Sequence, residues 1–238
     1  MSAPRSQNTS VPSNRLLAAL PPKEYRHVLS LGEVVSFGSR DVLYRTDGVM
    51  GHVFFPFSGV MSMVLIMLDG RTVEVAAVGN EGMVGLSMAL QGQTSPTAVS
   101  CQVPSEALRV PRKAFLDELE KCGQFHSIIH QYTRRAISSS SQLIACNCLH
   151  SVEERCARWL LMTRDRIGSD DFPLTQETLS YMLGVRRASV SLAAGTLQSA
   201  GLITYSRGKV VIRDPQRLEE VSCECYQVMR GIHEKPFE

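Results

Sequence analysis

The chain has 238 residues, of which 44% are hydrophobic, 20% charged and 6% aromatic, a composition typical of one large or two ordinary globular domains rather than of a disordered chain. Twenty-five lysines and arginines against 23 acidic residues leave a net charge of +2, so attraction to a polyanion would require local clustering of basic residues. No apolar run reaches the roughly 18 to 20 residues of a membrane span, so no membrane partner is expected.

The first segment, residues 1–14, is rich in Ser, Pro and Asn and lacks the apolar core of a secretory signal. We therefore expect a disordered tail and a cytoplasmic protein. In that reducing compartment the seven cysteines are expected to be thiols, and their odd number argues against a complete disulfide framework.

The next part of the chain, up to residue 112, is predicted to be mostly sheet. From about residue 31, short segments rich in Val, Phe, Met and Leu alternate with turn residues, and Asp69-Gly70 is typical of a two-residue hairpin turn. Several closely spaced strands indicate a sandwich or barrel. The predicted strands include residues 34–37, 53–57, 60–67 and 72–78.

A long helical region is predicted after Pro111, because the next proline is Pro173 and glycine occurs between them only at Gly123 and Gly168. Within this region a set of residues recurs at alternating spacings of three and four, which places them on one helix face. Small side chains nearby would let a second helix approach closely, so this face is interpreted as a homodimer interface; the alternative is packing against the protein's own sheet. The interface residues are Ile129, Tyr132, Ala136, Ser139 and Leu143, with Cys146 extending the face.

A second helix is predicted over residues 152–167. Its apolar residues, among them Trp159, can pack on one side, and its arginines are expected to cover the solvent side. Those arginines are Arg155, Arg158, Arg164 and Arg166.

Residues 174–197, LTQETLSYMLGVRRASVSLAAGTL, predict two short helices joined by a turn. Thr175 is placed to cap the first helix, and Gly184 can end it in a left-handed conformation. The second helix is expected from about Arg187 to Ser199, before Gly201. This arrangement is a helix-turn-helix, and its apolar residues would lock the two helices together.

A small hairpin is predicted over residues 204–212, turning at Arg207-Gly208-Lys209. From Gly184 to Arg213 the chain has five basic residues and no acidic one, an asymmetry typical of phosphate binding. A helix-turn-helix can also serve in a protein-interaction domain, so a dimeric adaptor that does not bind DNA is the alternative. The expected DNA-binding residues are Gln176, Arg186, Arg187, Ser189, Ser191, Arg207 and Lys209.

The chain has a series of strands, then a long helix and then a basic winged module. In this order of elements it resembles a Crp/Fnr-type transcriptional regulator over about residues 15 to 225. The resemblance implies an α+β fold: a cyclic-nucleotide-binding-like β-roll of double-stranded β-helix or jelly-roll type, a long dimerisation helix and a C-terminal winged helix-turn-helix. It also implies a homodimer on an inverted repeat of double-stranded DNA, and it is compatible with RNA polymerase as a further partner. The implied divisions are 15–112, 113–150 and 151–214, followed by a C-terminal tail, 215–238.

By this resemblance Arg187 matches the family's base-reading arginine, whose guanidinium can bond the O6 and N7 atoms of a guanine. Ser189 and Ser191 could add base or phosphate contacts, and the remaining predicted residues would hold the backbone. The chain departs from the family at Ala188, which replaces a glutamate, and at Leu192, which replaces an arginine. The operator sequence of the better-known members therefore does not transfer.

The effector site is weakened relative to the cyclic-nucleotide-binding members, in which an arginine neutralises the cyclic phosphate. Pro96 occupies the place of that arginine and cannot pair with a phosphate; Arg71 and Arg109 could supply charge but are better explained as surface residues. Cyclic AMP is therefore disfavoured, and the small-molecule effector is left open. The candidate pocket residues are Glu81, Gly82, Val84, Gly85 and Thr97.

Metal and cofactor sites are not predicted. No cysteine precedes Cys101, which disfavours the family's iron–sulfur cluster, and haem is disfavoured as well. Cys146 and Cys148 would point about 200° apart on a helix and could not easily bind one metal. Cys223 and Cys225 form a similar pair, so a thiol- or metal-responsive regulator of the same fold remains an alternative.

Two further possibilities are disfavoured. His126 and His130 lie four residues apart but have no second ligand pair near them in the sequence. No phosphate-binding loop, nucleophile elbow or spaced carboxylate pair indicates an enzyme.

Overall fold

The computed structural model of the chain describes residues 14–237. The predicted disordered tail lies outside these residues except for Asn14, which is buried and begins the first of two short helices, α1 (Arg15–Ala18) and α2 (Pro22–Ser30). The Asn14 side chain accepts a hydrogen bond from Leu17 N and donates to the backbone oxygens of Pro56 and Gly82. Among the described residues, no helix has both the length and the apolar character needed to cross a membrane.

Two antiparallel sheets follow, and they enclose the larger core. One sheet has the strand order β1-β7-β3 and the other has the order β2-β6-β4-β5. Phe55, Met61 and Leu108 are fully buried between the sheets. The strands are β1 (Glu33–Phe37), β2 (Val42–Tyr44), β3 (His52–Pro56), β4 (Val60–Ile66), β5 (Thr72–Val78), β6 (Ala98–Val103) and β7 (Ser105–Pro111). The predicted sheet-rich half and its roll-like architecture are confirmed, and we call this part the β-domain.

The turn between β4 and β5 differs from the predicted two-residue hairpin. Met67 N donates to Arg71 O at 2.8 Å, and Gly70 N donates to Met67 O at 2.9 Å, which leaves a loop of three residues. Gly70 has a φ of +83°, whereas Asp69 is not in the left-handed region. A two-residue turn of type I′ would require a positive φ at both positions.

Three helices lead away from the β-domain: α3 (Arg112–Leu119), α4 (Gln124–Leu149) and α5 (Val152–Ile167). Helix α5 begins with a capping box, in which Glu154 N donates to Ser151 Oγ and Ser151 N donates to the Glu154 carboxylate. It ends at Gly168, whose φ is +65°. The predicted long helical region is therefore present.

The predicted dimer face of α4 points into the chain's own body. Ile129 is completely buried and Tyr132 is 5% exposed, and the Tyr132 hydroxyl donates to Met83 O at 3.3 Å. The prediction that these two residues contact a second copy is therefore wrong. Ala136, Ser139 and Leu143 line a cavity between α4, the β-domain and α5. The alternating spacing identified a packing face, but spacing alone cannot distinguish a neighbour in the same chain from a second copy.

A different face of α4 lies at the surface. Ile137 and Ile144 are 62% and 66% exposed. They belong to a row of exposed residues spaced by three and four, which we call the outer face of α4: Arg134, Ile137, Ser141, Ile144 and Cys148.

The rest of the chain forms a C-terminal module around a second core that contains Trp159, Val190 and Val210. Its three-stranded sheet has the order β8-β10-β9. Residues 215–238, predicted as a tail, contain two helices within the described part, and these bury Leu218 and Tyr226. The elements after α5 are β8 (Asp171–Pro173), α6 (Gln176–Leu183), α7 (Arg187–Ser199), β9 (Ile203–Ser206), β10 (Lys209–Ile212), α8 (Pro215–Glu220) and α9 (Cys225–Glu234).

Helix α5 joins the C-terminal module to the β-domain. Arg166 donates from Nε to Glu81 Oε1 at 2.8 Å and from Nη2 to Ala77 O at 3.1 Å, and Trp159 Nε1 donates to Glu74 Oε1 at 3.0 Å. Arg155 and Arg158 are 8% and 5% exposed, and the Arg166 side chain is 9% exposed. The prediction that the arginines of this helix cover a solvent face is wrong for these three. The sequence does not reveal that Arg155 donates to Leu183 O within the module, or that Glu81 and Ala77 O of the β-domain accept from Arg166.

Candidate functional site

The helix-turn-helix forms where the sequence predicts it. Thr175 caps α6 by accepting a hydrogen bond from Thr178 N at 3.0 Å, and Gly184 ends the helix with a φ of +64°. A side chain at Gly184 would also come within 2.9 Å of a methyl group of Val73 in β5. The turn therefore needs glycine both for its backbone conformation and for its close approach to the β-domain.

Helix α7 presents a polar face to solvent. Val190, Ala194 and Leu197 are buried against the core of the module, whereas Arg186 and Arg187 are exposed at the helix start. No side chain caps this helix. The backbone N–H groups of its first turn are suited to an anion, because helix N-termini carry unpaired donors and a partial positive charge.

The wing is a tight hairpin with a basic tip. Arg207 and Gly208 have φ values of +50° and +75°, as a two-residue type I′ turn requires. Lys209 begins β10 and lies opposite β8, where its Nζ is 2.7 Å from Asp171 Oδ2. The sequence does not reveal this acidic partner, because only the pairing of β8 with β10 in the fold brings Asp171 beside the wing.

A cleft of about 240 Å³ separates the wing from the starts of α6 and α7. It brings together the predicted residues Gln176, Arg187 and Arg207, and Ser191 Oγ donates to Gln176 Oε1 at 2.8 Å. Arg186 and Ser189 lie at the same end of α7 but do not line the cleft. The full lining is Thr175, Gln176, Arg187, Tyr205, Ser206, Arg207 and Gly208.

The charge of this surface is largely uncompensated. Among the ion pairs of residues 14–237, none involves Arg186, Arg187 or Arg207. Exposed guanidinium groups without an acidic neighbour can bind phosphate oxygens or base edges without first breaking an internal contact.

A cavity of about 470 Å³ lies between the β-domain and α4. Of the predicted pocket residues, Gly85 and Thr97 line it, and Pro96 lies between Thr97 and Ser95 on the same wall. Most of the lining is apolar, and among its described residues Glu74 is the charged one. A cyclic phosphate bound here would therefore meet a carboxyl group and no lysine or arginine.

The other predicted pocket residues have structural contacts instead. Glu81 forms a buried ion pair with Arg166, and the Gly82 carbonyl accepts a hydrogen bond from Asn14. A side chain at Gly82 would collide with the Tyr132 ring, and Val84 pairs with Phe54 through backbone hydrogen bonds. Glu81, Gly82 and Val84, which were expected to line an effector pocket, are therefore absent from the lining of the 470 Å³ cavity.

The pKa values of the two buried carboxyl groups in this region, Glu74 and Glu81, are shifted in opposite directions. Burial alone would raise the pKa of Glu81, but the charge and hydrogen bond of Arg166 outweigh it and hold the pKa below its ordinary value. Burial raises the pKa of Glu74, although Ser62 and Trp159 donate hydrogen bonds to its carboxyl group. The paired Glu81 is thus ionised at neutral pH.

Three cysteine sulfur atoms and one histidine nitrogen atom lie close together at the end of α4. Cys146 Sγ lies 3.5 Å from Cys223 Sγ, and Cys225 Sγ lies 3.6 Å from His150 Nδ1. The hydrogen-bond contact with Cys223 is the largest influence on the Cys146 thiol and lowers its pKa below the ordinary value. Cys148, the neighbour considered in the sequence, is exposed and outside the cluster. The cluster was missed because Cys146 and Cys223 are 77 residues apart in the sequence and only the fold brings them together.

Comparison with known proteins gives two matching domain families. Residues 34–122 match the cyclic nucleotide-binding domain, and residues 154–221 match the Crp-like helix-turn-helix domain. Together the two matches include the cavity wall around Pro96 and all the residues that line the cleft.

Whole-chain relatives agree with this pair of domains. The chain is 21% identical to the nitrogen fixation regulation protein FixK of Bradyrhizobium diazoefficiens over 220 residues, which cover 90% of this chain and 92% of FixK. It is 20% identical to the transcriptional activatory protein AadR of Rhodopseudomonas palustris over 210 residues, which cover 85% of this chain and 87% of AadR.

Solved structures share the fold. FixK2 from Bradyrhizobium japonicum superimposes with a TM-score of 0.69 at 18% identity, covering 81% of this chain and 98% of that one. A transcriptional regulator of the CRP family from Thermus thermophilus gives a TM-score of 0.68 at 18% identity, covering 79% and 96%.

Proposed function

Because the chain belongs to the Crp/Fnr-type transcriptional regulators and carries their helix-turn-helix DNA-binding domain, we propose that it acts as a homodimer that reads an inverted repeat in double-stranded DNA. The observation that carries this proposal is the convergence of Gln176, Arg187 and Arg207 on one uncompensated basic cleft. A regulator of this kind works on the chromosome in the cytoplasm, with RNA polymerase as a candidate partner.

In this proposal α7 enters the major groove with its N-terminal end toward the bases. Arg187 bonds a guanine, and Ser189 and Ser191 contact bases or phosphates next to it. Gln176, Arg186 and Arg207 bind the backbone and set the register of the helix in the groove. Lys209 also binds phosphate, and to do so it must exchange its contact with Asp171 for one with DNA.

The homodimer is proposed to form through the outer face of α4. Ile137 and Ile144 are separated by seven residues, and their exposure on a helix is explained if a second copy covers them. Ser141 between them is small enough to let two helices approach closely. This interface replaces the one inferred from the sequence, whose residues point into the chain's own body.

Domain boundaries follow from the same proposal. Residues 15–112 form the sensor domain, 113–150 the dimerisation region and 151–214 the DNA-binding domain. The two helices α8 and α9 extend the DNA-binding domain by packing on α5, and α9 also contacts α4. The effector is proposed to be a molecule other than cyclic AMP, because the described residues around the 470 Å³ cavity offer a cyclic phosphate no cationic partner.

The test is selection of bound fragments from random or genomic DNA at stated ionic strength, followed by gel-shift titration of the recovered sequence. We expect recovered fragments that share an inverted repeat, and binding that weakens steeply with salt as phosphate contacts release counterions. The dimeric adaptor is favoured instead if the full chain binds no fragment in dilute buffer.

A cyclic AMP arm completes the test. Added at a concentration well above that used by cyclic-AMP-dependent regulators, the nucleotide is expected to change neither the gel-shift midpoint nor the melting temperature. A shift in either quantity would contradict the proposal for the cavity.

A further inference from the structure

Two distant parts of the chain supply the four-ligand cluster at the end of α4. The last turn of α4 and its C-cap provide Cys146 and His150, which are four residues apart and so share a helix face. The segment that opens α9 provides Cys223 and Cys225. The three cysteines are buried, and the ligand atoms of all four residues lie within 4.8 Å of one another.

These separations fit a single ion. A tetrahedral zinc ion with Zn–S bonds of about 2.3 Å and a Zn–N bond of about 2.0 Å holds its ligand atoms roughly 3.5 to 3.8 Å apart. The Cys146–Cys223 and Cys225–His150 contacts are 3.5 Å and 3.6 Å. A [4Fe–4S] cluster binds each protein ligand to a different iron atom, and a [2Fe–2S] cluster binds them as two pairs on two iron atoms. In both clusters some of the protein ligands lie farther apart than the four ligands of a single ion.

The surroundings orient the ligands as metal sites require. His150 Nε2 lies 3.1 Å from Glu224 Oε2, which fixes the ring with Nδ1 toward the thiols. A carboxylate that accepts the second N–H of a ligating histidine is a common feature of zinc sites. Gln142 Nε2 donates to Cys225 Sγ at 3.0 Å and orients that sulfur as well.

The charge of the neighbourhood also suits a thiolate-rich site. Three thiolates, one neutral imidazole and Zn²⁺ carry a net charge of −1. Arg155 and Arg158 are more than nine-tenths buried, each has an Nε atom without a hydrogen-bond partner, and both interact electrostatically with Cys146. A buried cation is stabilised by a nearby anion, so a metal centre with a net charge of −1 would offset part of the charge of the two arginines.

We propose that Cys146, His150, Cys223 and Cys225 bind one zinc ion as a Cys₃His site. The ion joins the end of α4 to the start of α9 and thereby links the proposed dimerisation helix to the C-terminal module. Each thiol loses its proton to solvent as the ion binds, and no oxidation occurs. The site requires no DNA and is independent of the proposed operator binding.

The full chain, purified anaerobically under reductant without a metal-affinity tag, tests the site directly. We expect about one zinc per chain by plasma mass spectrometry after dialysis against metal-free buffer. Replacement by Co²⁺ should give the visible ligand-field bands of a tetrahedral ion and a thiolate charge-transfer band. Absence of zinc from reduced protein to which zinc was supplied, together with absence of the Co²⁺ bands, overturns the proposal. A Cys146–Cys223 disulfide found under these reducing conditions does the same.

Variants assign the ligands. Cys223→Ser should lose the zinc, whereas Cys148→Ser, which changes an exposed thiol on the same helix, should keep it. Circular dichroism of each variant checks the fold.

Glu224→Gln keeps all four ligands and removes only the carboxylate behind His150. It should weaken zinc binding about 10- to 100-fold in a chelator competition. The assignment is overturned if Cys148→Ser loses as much zinc as Cys223→Ser does. It is also overturned if Cys223→Ser and Glu224→Gln both bind zinc with the affinity of the wild type.

Discussion

Arg187 lies in the cleft beside Gln176 and Arg207, where a guanidinium can form a fork of two hydrogen bonds with a guanine. Arg187→Ala is expected to weaken binding to the selected operator by about 1 to 3 kcal/mol and to spare binding to unrelated DNA. Gel-shift titration on both DNAs at one salt concentration measures the difference.

Arg187→Lys is the matched control, because it keeps the charge and loses the planar fork. It should therefore lose operator preference almost as Arg187→Ala does while retaining more affinity for unrelated DNA. An equal loss on both DNAs in the alanine variant would reassign Arg187 to a phosphate contact.

His233 is a second residue whose environment has a measurable consequence. It lies in α9, its Nε2 is 3.3 Å from Ser139 Oγ, and Arg15 donates to its backbone oxygen. Burial is the main reason that its pKa falls from 6.5 to about 4, with Arg166, Arg135 and Arg15 acting in the same direction and Glu81 against it. The imidazole is therefore neutral in the folded protein at pH 7.

The sign of the pH effect follows from this depressed pKa. Between pH 6.5 and about 4 the unfolded chain binds a proton at His233 that the folded chain does not, so the free energy of unfolding decreases as the pH falls. Compared with His233→Gln, the wild type should lose about 2 kcal/mol more between pH 7 and pH 5. Urea unfolding at both pH values measures this difference. Parallel losses in the two proteins would show that His233 does not titrate in this way.

At the scale of elements, the two faces of α4 differ in their exposure to solvent. The inner face packs on the chain itself, and the outer face exposes Ile137 and Ile144. Ile144→Asp is expected to convert the dimer to a monomer in sedimentation at micromolar concentration, because a carboxylate in a helix–helix interface loses its solvation. Gln124→Asp, an exposed change in the first turn of the same helix and more than three turns before Ile137, should remain dimeric. Dimers in both variants would exclude the outer face as the interface.

The elements also show which parts of the structure the sequence could predict. Thr175, Gly184 and the Arg207-Gly208 turn act through neighbouring backbone, so the helix-turn-helix and the wing were predicted close to their observed bounds. Other features depend on residues that are far away in the chain. They are the burial of Tyr132, the ion pair of Glu81 with Arg166 and the thiol contact of Cys146 with Cys223. Spacing along one helix carries no information about such partners, and these features were predicted wrongly or missed.

At the scale of the whole molecule, two copies related by a two-fold axis would place their α7 helices in successive major grooves, about 34 Å apart. Inserting about 5 base pairs between the half-sites of the selected operator rotates one half-site by half a turn. We expect binding of the dimer to fall to the affinity of a single half-site. The control is an operator that keeps the original distance between the half-sites and carries a substituted central sequence. Undiminished binding to the lengthened operator would argue against a rigid symmetric dimer.

The chain has a single tryptophan, Trp159, and its indole donates to Glu74 across the junction of α5 with β5. The tryptophan fluorescence of the protein therefore comes from one place. This place lies between the half of the protein that would hold an effector and the half that would hold DNA. Any rearrangement that separates the two halves must break this contact and admit water to the ring. The protein thus contains its own optical reporter, and titrations with metabolites or oligonucleotides can be followed by fluorescence without attaching a dye.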